Sequence, residues 1–407
     1  MITSTVPEVV ITGIGVVSAA GVGTHAAWST VLAGHGTARR DARSAGLAVD
    51  VVCRVPDFDP AARLGGMWAR RTDRYSQLAF VAGAEALTMA ELDPAQWDGT
   101  RVGVVIGTGF GGVSTLNEQV LRLERGEKVS ATTVPLYAPN MLPGQLSLMW
   151  GATGPSLTVS TACASGTTAI GTASALIRSG VCDIVLAGGS DAPIIPVISA
   201  AFARMDALAS GGTDPATASR PFDVSRGGFV LGEGAAILVL EREAHAAGRR
   251  VPAMARLAGF GASADAHHIT DPHPQGCGLQ QAITTALAQA GATAGEVDHV
   301  NAHATGTPKG DLIEATMLGR LVGHASVTAT KGALGHTVGA AGAIEAALTV
   351  KAITEQTVPP TANLDRLDPQ VDLDVVADSA RTQRIRLALS NSVGFGGQNA
   401  VLALAVP

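Results

Sequence analysis

Short runs of β-branched and apolar residues alternate along this chain with longer Ala/Leu-rich stretches of helical spacing, and the alternation runs through twice. The first series reads VVITGIGVVS, a helix over Leu78–Met89, RVGVVIGTG, a strand at Leu157–Ser160, a helix, and IVLAGGSDA. The second opens near Ala253 with MARLAGFGASAD, passes through a helix at Leu279–Ala290, and closes with RIRLALSNS and AVLALAV. Strands separated by helices are the grammar of a parallel or mixed sheet covered on its faces. The expected class is therefore α/β, with one half over residues 1–250 and the other over 251–407. Periodicity in a single sequence leaves open whether the halves are structural repeats. The polar, aperiodic segment Arg39–Gly65 reads as a surface excursion, and Gly211–Ser219 as a second loop.

Composition fits tight packing of such layers: 46% of residues are apolar, only 3% are aromatic, and 49 are glycine. Small side chains let helices and strands approach closely. A net charge of −6, with no dense Lys/Arg stripe, argues against a nucleic-acid surface. The first basic residue is Arg39, so the opening stretch lacks the basic start of a secretory signal. The apolar segment Leu334–Val350 is interrupted by His336 and Glu345, which disqualifies it as a membrane span. Cys53, Cys163, Cys182 and Cys277 show neither metal-type spacing nor a disulfide framework. A soluble protein of the reducing cytoplasm is expected, in which each cysteine is judged alone.

Cys163 stands out by position. Ser156–Ser160 reads as a strand, while Ala169, Ala173, Leu176 and Ile177 share one helical face that ends at Gly180, so Cys163 falls at a turn into a helix. Free N–H groups and the positive end of the helix dipole favour a thiolate there. Taken singly, such a cysteine reads as a small packing residue. Two histidines in Gly/Thr-rich turns change that: NAHATGTPKGD holds His303 and KGALGHTVGAAGAIEA holds His336. An activated cysteine with two such histidines is the kind of cluster that nucleophilic catalysis requires.

With these motifs in hand, the chain resembles the β-ketoacyl-acyl-carrier-protein synthases of the KAS I/KAS II type, including ketosynthase subunits of type II polyketide pathways. The resemblance runs nearly end to end through VVITGIGVVS, TACASG, RPFDVSRGGFVLGEGA, NAHATGTPKGD, KGALGHTVGAAGAIE and NSVGFGGQNA. It implies the thiolase fold, a five-layered αβαβα arrangement of two like halves, normally dimeric. By matched position it makes Cys163 the nucleophile, His303 and His336 the catalytic histidines, and Lys331 the lysine of the second histidine's motif. Thr305 and Thr307 match the threonines that bind the phosphopantetheine arm, and Glu345 matches a glutamate of the inner polar network. Phe395 matches the gating phenylalanine, whose N–H joins that of Cys163 in an oxyanion hole. The implied reaction is acyl transfer to Cys163 followed by decarboxylative condensation with a malonyl group. No metal or redox cofactor is implied, because the substrates ride on the phosphopantetheine of an acyl carrier protein.

Several positions depart from the family pattern: Ala304 replaces a glycine, Gly227 an acidic residue, and Val393 a phenylalanine beside the gate. Phe110 stands where a smaller aliphatic residue usually lines the acyl pocket. It is expected to limit acyl length or redirect the tunnel toward a partner subunit, the alternative being packing in a dimer core. Arg70, Arg71, Arg74 and Arg204 are candidates for docking an acidic carrier protein. GTGFGG lacks the spacing of a dinucleotide loop, and Asp265, His267, His268 and His273 read as an entrance loop rather than a metal site. A degradative thiolase would carry a second reactive cysteine late in the chain, an initiating synthase would carry asparagine for His336, and a non-condensing chain-length factor would lack Cys163. The departures at Phe110 and Val393 favour a specialised polyketide or polyene pathway over housekeeping fatty-acid synthesis, as a homodimer or as a heterodimer with a chain-length-factor-like subunit.

Overall fold

The computed structural model describes residues 7–407. The reading of the amino-terminal leader falls partly on residues 1–6, outside those described. The first half comprises β1 (Val9–Ser18), α1 (Arg74–Met89), β2 (Val102–Gly107), α2 (Met141–Trp150), β3 (Ser156–Val159), α3 (Ser165–Arg178), β4 (Ile184–Asp191) and β5 (Gly234–Arg242). The second repeats that order with β6 (Ala255–Ala264), α4 (Cys277–Ala290), β7 (His299–Asn301), α5 (Pro308–Val322), β8 (Ser326–Thr328), α6 (Ala341–Glu355), β9 (Leu387–Gly394) and β10 (Gln398–Ala405). Strand order is 3-2-4-5-1 in one half and 8-7-9-10-6 in the other, and in both the 5-1 or 10-6 pair and the 4-5 or 9-10 pair are antiparallel while the rest are parallel. The halves join where β1 meets β6, through Val10–Arg256 and Ile11–Ala255.

The duplication reaches single residues. β1 has a bulge between Ile11 and Gly13, and β6 has one between Leu257 and Gly259. Gly13 and Gly15 lie against the carbonyls of Ala86 and Ala82 in α1, as Gly259 and Gly261 lie against Ala286 and Ala282 in α4. A Cβ at any of these positions would overlap a carbonyl oxygen, so helix and strand touch at this distance only because glycine and alanine meet there.

α3 and α6 lie side by side between the two halves of this sheet and contact both, while α1 and α2 cover one outer face and α4 the other, giving five layers. The central layer is built from Ala169, Ala173, Ala343, Ala346 and Ala347 with Ile170, Ile177, Ile344 and Leu348. Small residues permit two buried helices within one sandwich, which is why the chain needs so few aromatics. The region Arg39–Gly65 is more ordered than its polarity implies: Val51–Cys53 is a buried strand parallel to Leu231–Gly232, and Pro60–Arg71 is a helix with a kink at Gly65. Three apolar residues among polar neighbours are too few for a periodic signal. Among the described residues no helix is long and apolar enough to cross a membrane.

Candidate active site

The turns before α3 and α6 face each other in the central layer. After β3 the chain enters a tight turn at Ala162–Ala164, with Ala162 at φ 50°, and starts α3 at Ser165. Ser165 Oγ accepts from Thr161 N at 2.9 Å and donates to Ala162 O at 2.6 Å, holding this strained turn closed. Cys163 is thereby presented to a channel rather than to the core. His336 precedes α6, and its backbone is paired like a strand: His336 N donates to Val230 O at 2.8 Å and Gly232 N donates to His336 O at 2.9 Å. The result places His336 Nε2 3.1 Å from Cys163 Sγ.

His303 follows β7, and its loop is held by α5. Glu314 accepts from His303 N at 2.9 Å and Ala304 N at 2.8 Å, and Asp311 accepts from Gly306 N at 3.0 Å. The His303 and His336 rings stand 5.5 Å apart, nearly perpendicular, and Phe229 packs edge-on against His336 at 5.1 Å. Lys331 is buried, ion-paired to Glu345, with Nζ 3.4 Å from His303 Nδ1. Burial with a cation alongside holds both imidazoles far below the usual histidine range, so they are neutral. Burial likewise raises Glu345 to about 7, against the pull of Lys331.

Cys163 corrects a sequence expectation. Burial pushes its thiol up to about 11, opposed by Lys331 and by the Phe395 backbone N–H. Removal from water outweighs the N–H groups of the turn, so the resting nucleophile is a thiol hydrogen-bonded to a neutral imidazole and not a standing thiolate. Phe395 lines the same channel as Cys163, where its backbone N–H is close enough to favour a charged sulfur.

Cys163, His303 and His336 line a channel of about 820 Å³ that also meets Phe110, Phe202, Phe229, Phe395 and Val338. Phe110 lies in this channel, its ring 6.4 Å from that of Phe202, which in turn is 6.3 Å from Phe395. Thr305 and Thr307 line it toward the mouth, with hydroxyls 3.1 Å apart, near Lys309, whose ammonium pairs with Asp271. A side cavity of about 40 Å³ shares Val393, His303 and Thr305 with the channel. Arg70 and Arg71 are exposed in the last turn of the helix Pro60–Arg71, and Arg204 is exposed beside Met205 and Asp206 of the mouth. Arg74 is different: its guanidinium grips buried Glu233 through two hydrogen bonds of 2.8 and 2.6 Å. It belongs to the frame, which removes it from the docking candidates.

In the loop after β6, the His267 and His273 rings meet edge-on at 5.1 Å, while His268 Nδ1 accepts from the N–H groups of Thr270 and Asp271 at 3.2 and 3.1 Å. Loop-closing bonds of this kind suit an entrance loop. Asp191, Glu314, Asp311, Phe202 and Phe229 were not singled out in the sequence. Asp311 and Glu314 had a signal, lying in the first turns of the helix that follows NAHATGTP, and Phe229 lies within the motif RPFDVSRGGFVLGEGA; Phe202 had none.

A family model described as Beta-ketoacyl synthase, N-terminal domain, matches residues 7–246, and one described as Beta-ketoacyl synthase, C-terminal domain, matches 254–365. The 3-oxoacyl-[acyl-carrier-protein] synthase 2 of Synechocystis sp. is 39% identical over 406 residues, covering 97% of each chain. The solved structure of the ishigamide ketosynthase/chain length factor superposes with a TM-score of 0.92 at 33% identity, covering 99% of this chain and 100% of that one. A type II PKS acyl-carrier protein in complex with its ketosynthase bound to the hexaketide matches with a TM-score of 0.91 at 30% identity over 99% and 100% of the chains.

Proposed function

Because the chain belongs to the β-ketoacyl synthase family, we propose that its condensing reaction is carried by Cys163 with His303 and His336. The observation that carries this reading is the 3.1 Å contact between His336 Nε2 and Cys163 Sγ in the wall of a channel of about 820 Å³.

In the first half-reaction the Cys163 sulfur attacks the thioester of an acyl carrier protein while its proton passes to His336. Charge developing on the carbonyl oxygen is met by the N–H groups of Cys163 and Phe395, each such donor being worth roughly 3–4 kcal/mol in the transition state. The C–S bond to the carrier breaks, and the proton leaves with the carrier thiol. In the second half-reaction a malonyl thioester, its pantetheine arm against Thr305 and Thr307, loses CO2. The electron pair of the broken C–C bond becomes an enolate whose oxygen takes hydrogen bonds from Nε2–H of His303 and from His336 in the tautomer protonated on Nε2, which it adopts once Cys163 is acylated. The enolate carbon attacks the acyl-Cys163 carbonyl, the C–S bond breaks, and the departing thiolate takes up a proton from water, the one proton that the whole condensation consumes. Lys331 and Glu345 orient His303. The carrier protein brings its own phosphopantetheine, so this reading needs no resident metal or redox group.

Charge complementarity supports Arg70, Arg71 and Arg204 as the landing place for an acidic carrier protein. Thiols kept reduced in the cytosol are part of the same reading. The edge strand β3 leaves Leu157 41% exposed, and Leu148 and Val134 near it are 79% and 62% exposed. Such a face fits a second subunit, either another copy or a chain-length-factor-like partner. Phe110 and Phe202 narrowing the channel favour a specialised polyketide or polyene pathway, whereas the name of the Synechocystis relative favours fatty-acid elongation. Intact-mass analysis after incubation with acyl carrier proteins of graded chain length separates these, and an adduct that survives Cys163→Ala would overturn the assignment of the nucleophile.

A further inference from the structure

The two halves of the fold can be compared position by position. β4 and β9 are both eight residues long, and each pairs antiparallel with the strand that follows it, so their last residues, Asp191 and Gly394, correspond. The turns before the central helices correspond too: Ala162 at φ 50° precedes Cys163, and Val338 at φ 49° precedes Gly339. Each strand end abuts the turn of the opposite half. A Cβ at Gly394 would stand 3.1 Å from Cys163 N and 2.7 Å from Thr161 O, so the missing side chain keeps that N–H open to a substrate oxygen.

At the other copy the space is filled. The Asp191 carboxylate, wholly buried, accepts from Gly339 N at 2.7 Å, Gly109 N at 2.8 Å, Phe110 N at 3.1 Å and Thr108 Oγ1 at 2.6 Å. Gly339 N is the counterpart of Cys163 N. Duplication of a turn that presents backbone N–H groups to an anion yields two such turns, and here one is left free while the other holds an anion supplied by the protein.

We propose that Asp191 is a built-in anion occupying the second anion hole, and that through it Asp191 acts as a positioning residue for the condensing site. Resting on the assignment of Cys163 and His336 above, the carboxylate ties the loop carrying Phe110 to the turn of Val338 and Gly339, two and three residues beyond His336. Both Phe110 and Val338 line the channel. One side chain thus sets the wall against which the acyl chain lies and the turn that places the histidine. Glycine at 109 and 339 is required because a Cβ at Gly109 would come within 3.1 Å of the carboxylate, and one at Gly339 within 2.5 Å.

The test compares wild type, Asp191→Asn and Asp191→Ala with acyl thioesters of graded length, with and without added formate. Asp191→Asn keeps the shape but turns one acceptor oxygen into an amide that opposes N–H groups. Condensation falls by roughly tenfold or more, the rate equivalent of one charge-assisted hydrogen bond, and the loss differs between chain lengths because Phe110 is no longer held. Formate, which matches the carboxylate that the substitution removes, restores Asp191→Ala toward wild type, which a general loss of stability would not allow. Equal chain-length ratios in wild type and Asp191→Asn overturn the proposal, as does Asp191→Ala that folds but is unmoved by formate; if it does not fold, the asparagine variant decides alone. Absence of an acyl adduct on wild-type Cys163 would instead sink the underlying assignment, and this proposal with it.

Discussion

Lys331 Nζ lies 3.4 Å from His303 Nδ1. An ammonium has protons to give and no lone pair to offer, so Nδ1 is the acceptor and the imidazole proton sits on Nε2. The same lysine is ion-paired with Glu345 in a site with almost no exposure to water. It therefore fixes a tautomer and compensates a buried carboxylate at once.

These two tasks separate in variants. Lys331→Met strands Glu345, and breaking one partner of a buried pair costs about 3–5 kcal/mol. The Lys331→Met/Glu345→Gln double variant recovers most of that stability in chemical denaturation. It does not recover condensation, because nothing then holds the proton on Nε2 of His303. CO2 release from malonyl carrier protein should stay low in both variants, while acylation of Cys163, which uses His336, is less affected. A double variant with restored decarboxylation would show that Lys331 serves packing alone.

The thiol gives a pH signature. With Cys163 raised to about 11, the thiolate fraction grows with pH well past the range where an ordinary cysteine has finished titrating. Alkylation by iodoacetamide, which consumes thiolate, should rise by close to tenfold per unit from about pH 7 to about pH 10. Acyl transfer should be flatter over that range, since His336 takes the proton during attack. An alkylation plateau near neutral pH would contradict the burial argument.

Phe110 tests the shape of the channel. Phe110→Ala removes the ring that meets Phe202 at 6.4 Å and opens the channel beyond it. Product length, read by mass spectrometry of carrier-bound chains, should shift to longer acyl groups while Cys163 acylation by short ones persists. An unchanged distribution would place the length limit elsewhere.

Much of this molecule is legible in its sequence, and the parts that are not share a cause. Strand-helix order, the turn at Cys163 and the two histidine turns are local patterns, readable from neighbouring residues. The direction of the Cys163 shift depends on how much protein surrounds the sulfur, which only the folded layers decide. Val51–Cys53 becomes a strand because Leu231–Gly232 lies beside it, far along the chain. Asp191 looks like any residue ending a strand until four donors from two distant segments converge on it.

Arg74 belongs to the same group, and it sharpens the docking experiment. Arg70, Arg71 and Arg74 sit within five positions, yet the first two are exposed while the third holds Glu233 in the interior. Arg70→Glu/Arg71→Glu should raise the apparent KM for carrier-bound thioesters several-fold or more, with the effect shrinking as salt screens the surface, and leave small-molecule thioesters unaffected. Arg74→Glu should instead lower stability, because two carboxylates would face each other in a buried site, and should depress activity on both kinds of substrate together. Equal losses on both substrates for the Arg70/Arg71 variant would mean that those two arginines, like Arg74, support the frame and that the carrier protein lands elsewhere.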